Sequence, residues 1–184
     1  LADGPSGLTY YPGTGLSADY LGHFFLCDFR GEASSSGIHT FTVKPKGASW
    51  ELGPGAPFLW GALVTDCDFG PDGGLWFSDW VYGWEQTGKG RIYRAIDPQA
   101  QQTALVAETR AILAQGMDGR SIQELKELLG HPDQRVRQET HFALADRHAV
   151  SLLREVATQG TNLFARLHAL WALGIAVRKD PTAQ

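Results

Sequence analysis

The stretch Val64–Arg94, VTDCDFGPDGGLWFSDWVYGWEQTGKGRIYR, decides the reading of the fold. Short runs rich in aromatic and β-branched residues alternate with clusters of turn residues, the pattern of consecutive antiparallel strands. In Phe69-Gly70-Pro71-Asp72-Gly73-Gly74, Pro71 presets φ for the first turn position and the glycines admit positive φ. The spacing therefore predicts a tight reversal between two strands.

Toward the N-terminus the same grammar returns in GHFFLCDFRGEASSSGIHTFTVKP, which begins at Gly22. Two β-rich runs, Phe24 to Phe29 and Ile38 to Val43, flank a Gly/Ser loop. Phe24, Leu26, Asp28 and Phe29 correspond to Leu75, Phe77, Asp79 and Trp80, about fifty residues later. A repeat of roughly that length, built of short strands, has the period of propeller blades. Two blades cannot close a ring, so protein partners are expected to cover the unpaired edges.

Beyond Asp97-Pro98 the pattern changes to helical periodicity. Ala104 to Gln115 reads as one helix, and Ile122, Leu125, Leu128 and Leu129 mark another that breaks at Gly130-His131-Pro132. A following helix carries Val136, Thr140, Ala143 and Leu144 on one face. The unit recurs with an offset of 29 residues: Asp133 maps onto Asn162, Arg137 onto Arg166, and Phe142 onto Trp171. Asp133 and Asn162 are placed to cap helices, and the paired helices resemble HEAT repeats, which stack into solenoids. The expected fold class is mixed and multidomain: antiparallel β-propeller blades (partial) over residues 1–97, a linker and helix over 98–119, and α-helical HEAT-like repeats over 120–184.

Composition separates the two halves. Of 22 glycines, 17 precede residue 97, as do five of six tryptophans. The net charge of −4 arises there, from ten acidic against six basic residues, so no basic field exists to attract nucleic acid. No apolar run approaches the length of a membrane span. Cys27 and Cys67 form neither a CxxC nor a CxxCH motif. One bridge between them and two buried thiols are both compatible with that spacing.

Several residues carry candidate chemistry. Asp66 and Asp68 alternate around Cys67 and share one strand face, an arrangement suited to a cation, to acid/base work, or to backbone groups at a turn. Asp28 and Asp79 recur at matching positions, which points to a structural role. Trp76, Trp80, Tyr82 and Trp84 offer flat rings for stacking on a sugar; packing is the expectation for Trp76 and Trp80, while Tyr82 and Trp84 fall in a loop as interaction candidates. His23 and His39 lack metal-ligand spacing, and His141, His148 and His168 lie on or beside helices. Ser78 has no nucleophile-elbow context, so no catalytic residue is assigned.

PSGLTYYPG at Pro5–Gly13, GHFFLCDFRG at Gly22–Gly31, TDCDFGPDGGLWFSDW at Thr65–Trp80 and GKGRIYRA at Gly88–Ala95 resemble the closing blades of glucose/sorbosone dehydrogenase-like propellers. The order of sheet and helical segments resembles the large membrane-bound dehydrogenases of planctomycete-type bacteria. The resemblance implies a periplasmic setting, pyrroloquinoline quinone (PQQ) with calcium, and electron transfer to a cytochrome c domain. It also implies a cation at Arg30 and arginines at the positions of Leu63 and Thr65, to hold the quinone's carboxylates. Arg30 keeps its charge; the other two positions do not. The favoured function is a non-catalytic interaction or scaffold fragment without its own cofactor. The alternative is part of a PQQ-type sugar or alcohol dehydrogenase, with Arg30 on the cofactor and Asp66 and Asp68 at the metal.

Overall fold

The computed structural model describes residues 1–179 as two compact units, Leu1–Val106 and Ala107 onward. The first holds seven strands: β1 Pro5–Tyr10, β2 Phe24–Asp28, β3 Gly37–Lys46, β4 Ser49–Trp60, β5 Val64–Phe69, β6 Leu75–Asp79 and β7 Arg91–Ala95. They form two antiparallel meanders, a four-stranded sheet β1-β2-β3-β4 and a three-stranded sheet β5-β6-β7. The predicted reversal after Phe69 is present. Gly73 sits at φ 76°, its N–H donates to Gly70 O at 2.8 Å, and Gly74 N–H donates to the Asp72 carboxylate at 3.1 Å.

The propeller expectation is corrected here. Among the described residues neither sheet closes on itself or joins a ring; the sheets are separate and open, with β4 and β7 at free edges. The repeat of about fifty residues is real, but it encodes two meanders stacked on one core. That period specifies strand, loop and strand without fixing how many sheets follow or how they are arranged, so it does not distinguish a ring from a two-sheet stack.

Alternation supplies that core. Phe25 and Cys27 of β2, Cys67 and Phe69 of β5, and Leu75 and Phe77 of β6 point inward, while Asp66, Asp68 and Trp76 point out. Tyr11, Phe25, Phe58 and Phe69 meet ring against ring at centroid distances of 5.0–5.4 Å. The sheets meet through β1, β2 and β5. A Cβ on Gly7 would stand 2.7 Å from Asp66 Cα, and one on Gly15 (φ 105°) would stand 2.0 Å from Gly73 O. Only glycine permits these approaches.

The second unit contains most of α1 Ala104–Gln115, together with α2 Ile122–Leu128, α3 Gln134–Asp146, α4 Val150–Gln159 and α5 Leu163–Lys179. Ser121 and Glu124 make a reciprocal capping box at α2. Asp133 caps α3 by accepting from Arg135 N–H, and Asn162 accepts from Ala165 N–H at 3.0 Å before α5. The paired arginines also serve matching ends: Arg137 donates to the carbonyls of His131 and Pro132, and Arg166 to that of Ala157. The HEAT-like reading is nonetheless corrected. The helices range from 7 to 17 residues and share one buried cluster that includes Leu125, Leu129, Val136, Leu144, Leu153, Ala169 and Ala172. Local caps repeat every 29 residues, whereas a solenoid needs uniform units that each bury against the next. No described helix is long and apolar enough to cross a membrane.

Candidate binding site

Two similar corners organise the first unit. At the end of β2, Asp28 is fully buried and its Oδ1 accepts from the N–H groups of Asp3 and Gly4, at 3.2 and 2.8 Å. At the end of β6, Asp79 Oδ1 accepts from Leu63 N–H at 3.1 Å and Val81 N–H at 2.9 Å. Beside them the backbone repeats too: Phe29 N–H donates to Gly4 O and Trp80 N–H to Leu63 O. Each carboxylate ties the end of a middle strand to the start of the first strand in its meander.

The corners differ in their countercharges. Arg30 donates Nε and Nη2 to Asp28 at 2.8 and 2.6 Å, and its Nη1 lies 2.8 Å from Asp3. His39 Nε2 adds a contact at 3.3 Å. Burial pushes the Asp28 carboxyl up, but the Arg30 bonds, the Gly4 amide and His39 outweigh it and hold the group below the ordinary aspartate value. Arg30 is correspondingly held above its ordinary value by its hydrogen bond to Asp28. At the second corner Arg91 only approaches Asp79, at 3.6 Å, with a side chain 56% exposed.

Between these corners stands the loop after β6. Val81 has φ 79°, a left-handed conformation that costs a β-branched residue about 1–3 kcal/mol. Asp79 holds it by accepting its N–H. Tyr82 and Trp84 follow, both largely exposed. Trp84 packs edge-on against Phe29 at 5.0 Å, over Gly31, where a Cβ would meet its Nε1 at 2.2 Å. Its ring lines two clefts. One, of about 670 Å³, is bounded by Arg30, Glu32, Leu63 and Tyr82; the other, of about 520 Å³, by Phe29, Thr65, Trp80 and Gln86.

The remaining sequence candidates disperse. Asp66 and Asp68 share the exposed face of β5, as their alternation requires. Asp66 accepts from Cys67 N–H, and Asp68 accepts from Phe69 N–H and the Thr9 hydroxyl. Among the described residues no group of three or more His, Cys, Asp or Glu side chains is placed to hold a metal ion. Trp76 and Trp80 are not core residues: both are partly exposed, Trp76 beneath Arg94 and Trp80 donating to Glu85 O. Trp76 sits on the outward face of β6, and Trp80 follows that strand's end. Ser78 shares a 2.7 Å hydrogen bond with Thr65.

PQQ held by carboxylate anchors does not fit these residues. Arg30 is committed to two carboxylates, Leu63 is a buried apolar side chain, and Thr65 is bonded to Ser78. Sequence reasoning missed the bracing of the Trp84 loop by Asp79 and Val81. The recurrence of Asp28 and Asp79 was the available signal.

No protein-family model matches the chain, and no curated protein does. Among solved structures it is similar to a protein of Thermus thermophilus assigned as an oxidoreductase (glucose dehydrogenase). The match has 19% identity and a TM-score of 0.35, and covers 49% of this chain and 24% of that one. At that level the likeness carries no function across.

Proposed function

We propose that this chain is a binding module, and that the Trp84 loop docks a protein partner by accepting an apolar or aromatic side chain into its clefts. One observation carries the reading: Tyr82 and Trp84 are held exposed on a strained loop braced by a buried carboxylate. Strain is kept where surrounding structure over-determines it, and such places cluster at ligand-contacting sites. Tryptophan and tyrosine are also the side chains that dominate binding energy at interfaces. The charged groups at the cleft wall support binding over chemistry, because Arg30 is already neutralised by Asp28 and Asp3.

The test is in-cell photo-crosslinking with p-benzoylphenylalanine at position 84, and at the exposed position Gln123 as a control. A discrete protein adduct from position 84 alone is the expected result. A chain that forms no such adduct, and that reduces dye when given PQQ, calcium and glucose, is instead a dehydrogenase fragment.

A further inference from the structure

Cys27 and Cys67 are the two cysteines of the chain, and both are buried. Cys27 lies on β2, an inner strand of the first sheet, and Cys67 lies on β5, which packs across from it in the second. The strands touch beside these residues: the Cys67 thiol lies 3.8 Å from Phe25 O, two residues along β2 from Cys27 and on the same inward face. Both side chains belong to the cluster that joins the sheets. Among the described residues no ladder hydrogen bonds connect the two sheets, which are held by packing and by side-chain bonds such as Ser6 to Val64 O and Thr9 to Asp68.

We infer that Cys27 and Cys67 are a redox pair that closes to a disulfide, covalently joining the first sheet to the second. The reaction is thiol–disulfide exchange with a small-molecule disulfide such as oxidised glutathione. The two cysteines lose two protons and two electrons, one S–S bond forms between them, and the oxidant's S–S bond is reduced to two thiols.

The folded environment sets when this happens. The thiolate is the attacking species. The hydrogen bond to Cys27, together with burial, pushes the Cys67 thiol well up, and an oxidant has no path to a buried sulfur. The bond therefore forms while the sheets are still open during folding, and is then sheltered from reductant. It links residues 40 apart in sequence, a loop long enough for closure to constrain the unfolded chain substantially.

The chain is refolded in glutathione redox buffer, then denatured and alkylated with N-ethylmaleimide. The expected product takes up no label, has lost the mass of two hydrogens, and gives one linked peptide pair containing Cys27 and Cys67. It resists dithiothreitol until urea is added, and unfolds at higher urea than the reduced chain. A Cys27→Ala/Cys67→Ala double variant shows no such dependence on redox buffer. Two labelled thiols after oxidative refolding, glutathione adducts on separate cysteines, or an oxidised chain no more resistant to urea than the reduced one would each overturn the inference.

Discussion

The two units bury ionisable groups by opposite means. In the sheet unit Asp28 stays charged because Arg30 and two backbone amides meet it in the core wall. In the helical unit His141 and His168 face each other with Nδ1 atoms 2.9 Å apart, both buried against Phe142 and Trp171. One ring must donate and the other accept, so one proton lies between the facing nitrogens and at most one ring can carry charge. Burial pushes His141 down; burial, with the charges of Arg137 and His141, pushes His168 down to about 4. A charge kept inside needs a partner, whereas a titratable base kept inside neutral needs only dryness. The first device fails when its partner is removed and the second when protons are added.

Removing the paired charge is the largest single break in that contrast. Asp28→Ala strands two amides and takes from Arg30 the buried one of its two carboxylate partners, and is expected to cost about 3 kcal/mol. Asp79→Ala strands two amides but little charge, so about 1–2 kcal/mol is expected. Urea unfolding followed by tryptophan fluorescence reads this, since five of six tryptophans lie in the sheet unit. Equal losses would mean that Arg30 contributes nothing beyond the backbone bonds.

Acid separates the two devices by pH. A histidine whose folded value is depressed is protonated first in the unfolded chain, so stability is complete above about pH 6.5 and falls as pH drops toward the folded value. For His168, with its value near 4, about 2 kcal/mol is lost by about pH 5. His131, buried beside Asp133, Glu108 and Arg137, is also pushed down by burial and adds in the same direction. Asp28 behaves as a depressed acid: its contribution is complete above its unfolded value of about 4 and drains only below it. Far-UV circular dichroism, weighted to the helices, should therefore lose urea resistance between pH 7 and 5 while tryptophan fluorescence holds. Coincident acid curves would sink the distinction.

Legibility in the sequence followed the range of the interactions. The helix over Ala104–Gln115, the caps at Asp133 and Asn162, and the reversal at Gly70–Gly74 were readable because each is set within a few residues. The structural role of Asp28 and Asp79 was readable from their recurrence. Sheet arrangement and helix stacking were not: the first depends on contacts such as Gly7 with Asp66 and Gly15 with Gly73, the second on contacts such as Arg147 with the Arg120 carbonyl, all far apart in sequence and silent in composition. At the site, the exposure of Tyr82 and Trp84 followed from their loop. The loss of Arg30 to Asp3 did not, since nothing local brings residue 3 to residue 30.

The smallest effect sharpens the contrast within the sheet unit itself. Arg91, on the neighbouring strand β7, also faces a strand-end aspartate, but its guanidinium is 3.6 Å away and more than half exposed. Solvent screens such a pair and side-chain entropy offsets the rest, so Arg91→Gln should change stability by under about 0.5 kcal/mol. Arg30→Gln removes both donors that face a fully buried carboxylate, and should therefore cost clearly more and raise the pH at which acid unfolding begins. Urea midpoints of the two variants at pH 7 and pH 4 decide the matter. If Arg91→Gln proves as costly as Arg30→Gln, the corners are electrostatically equivalent and the 3.6 Å separation does not describe the pair in solution.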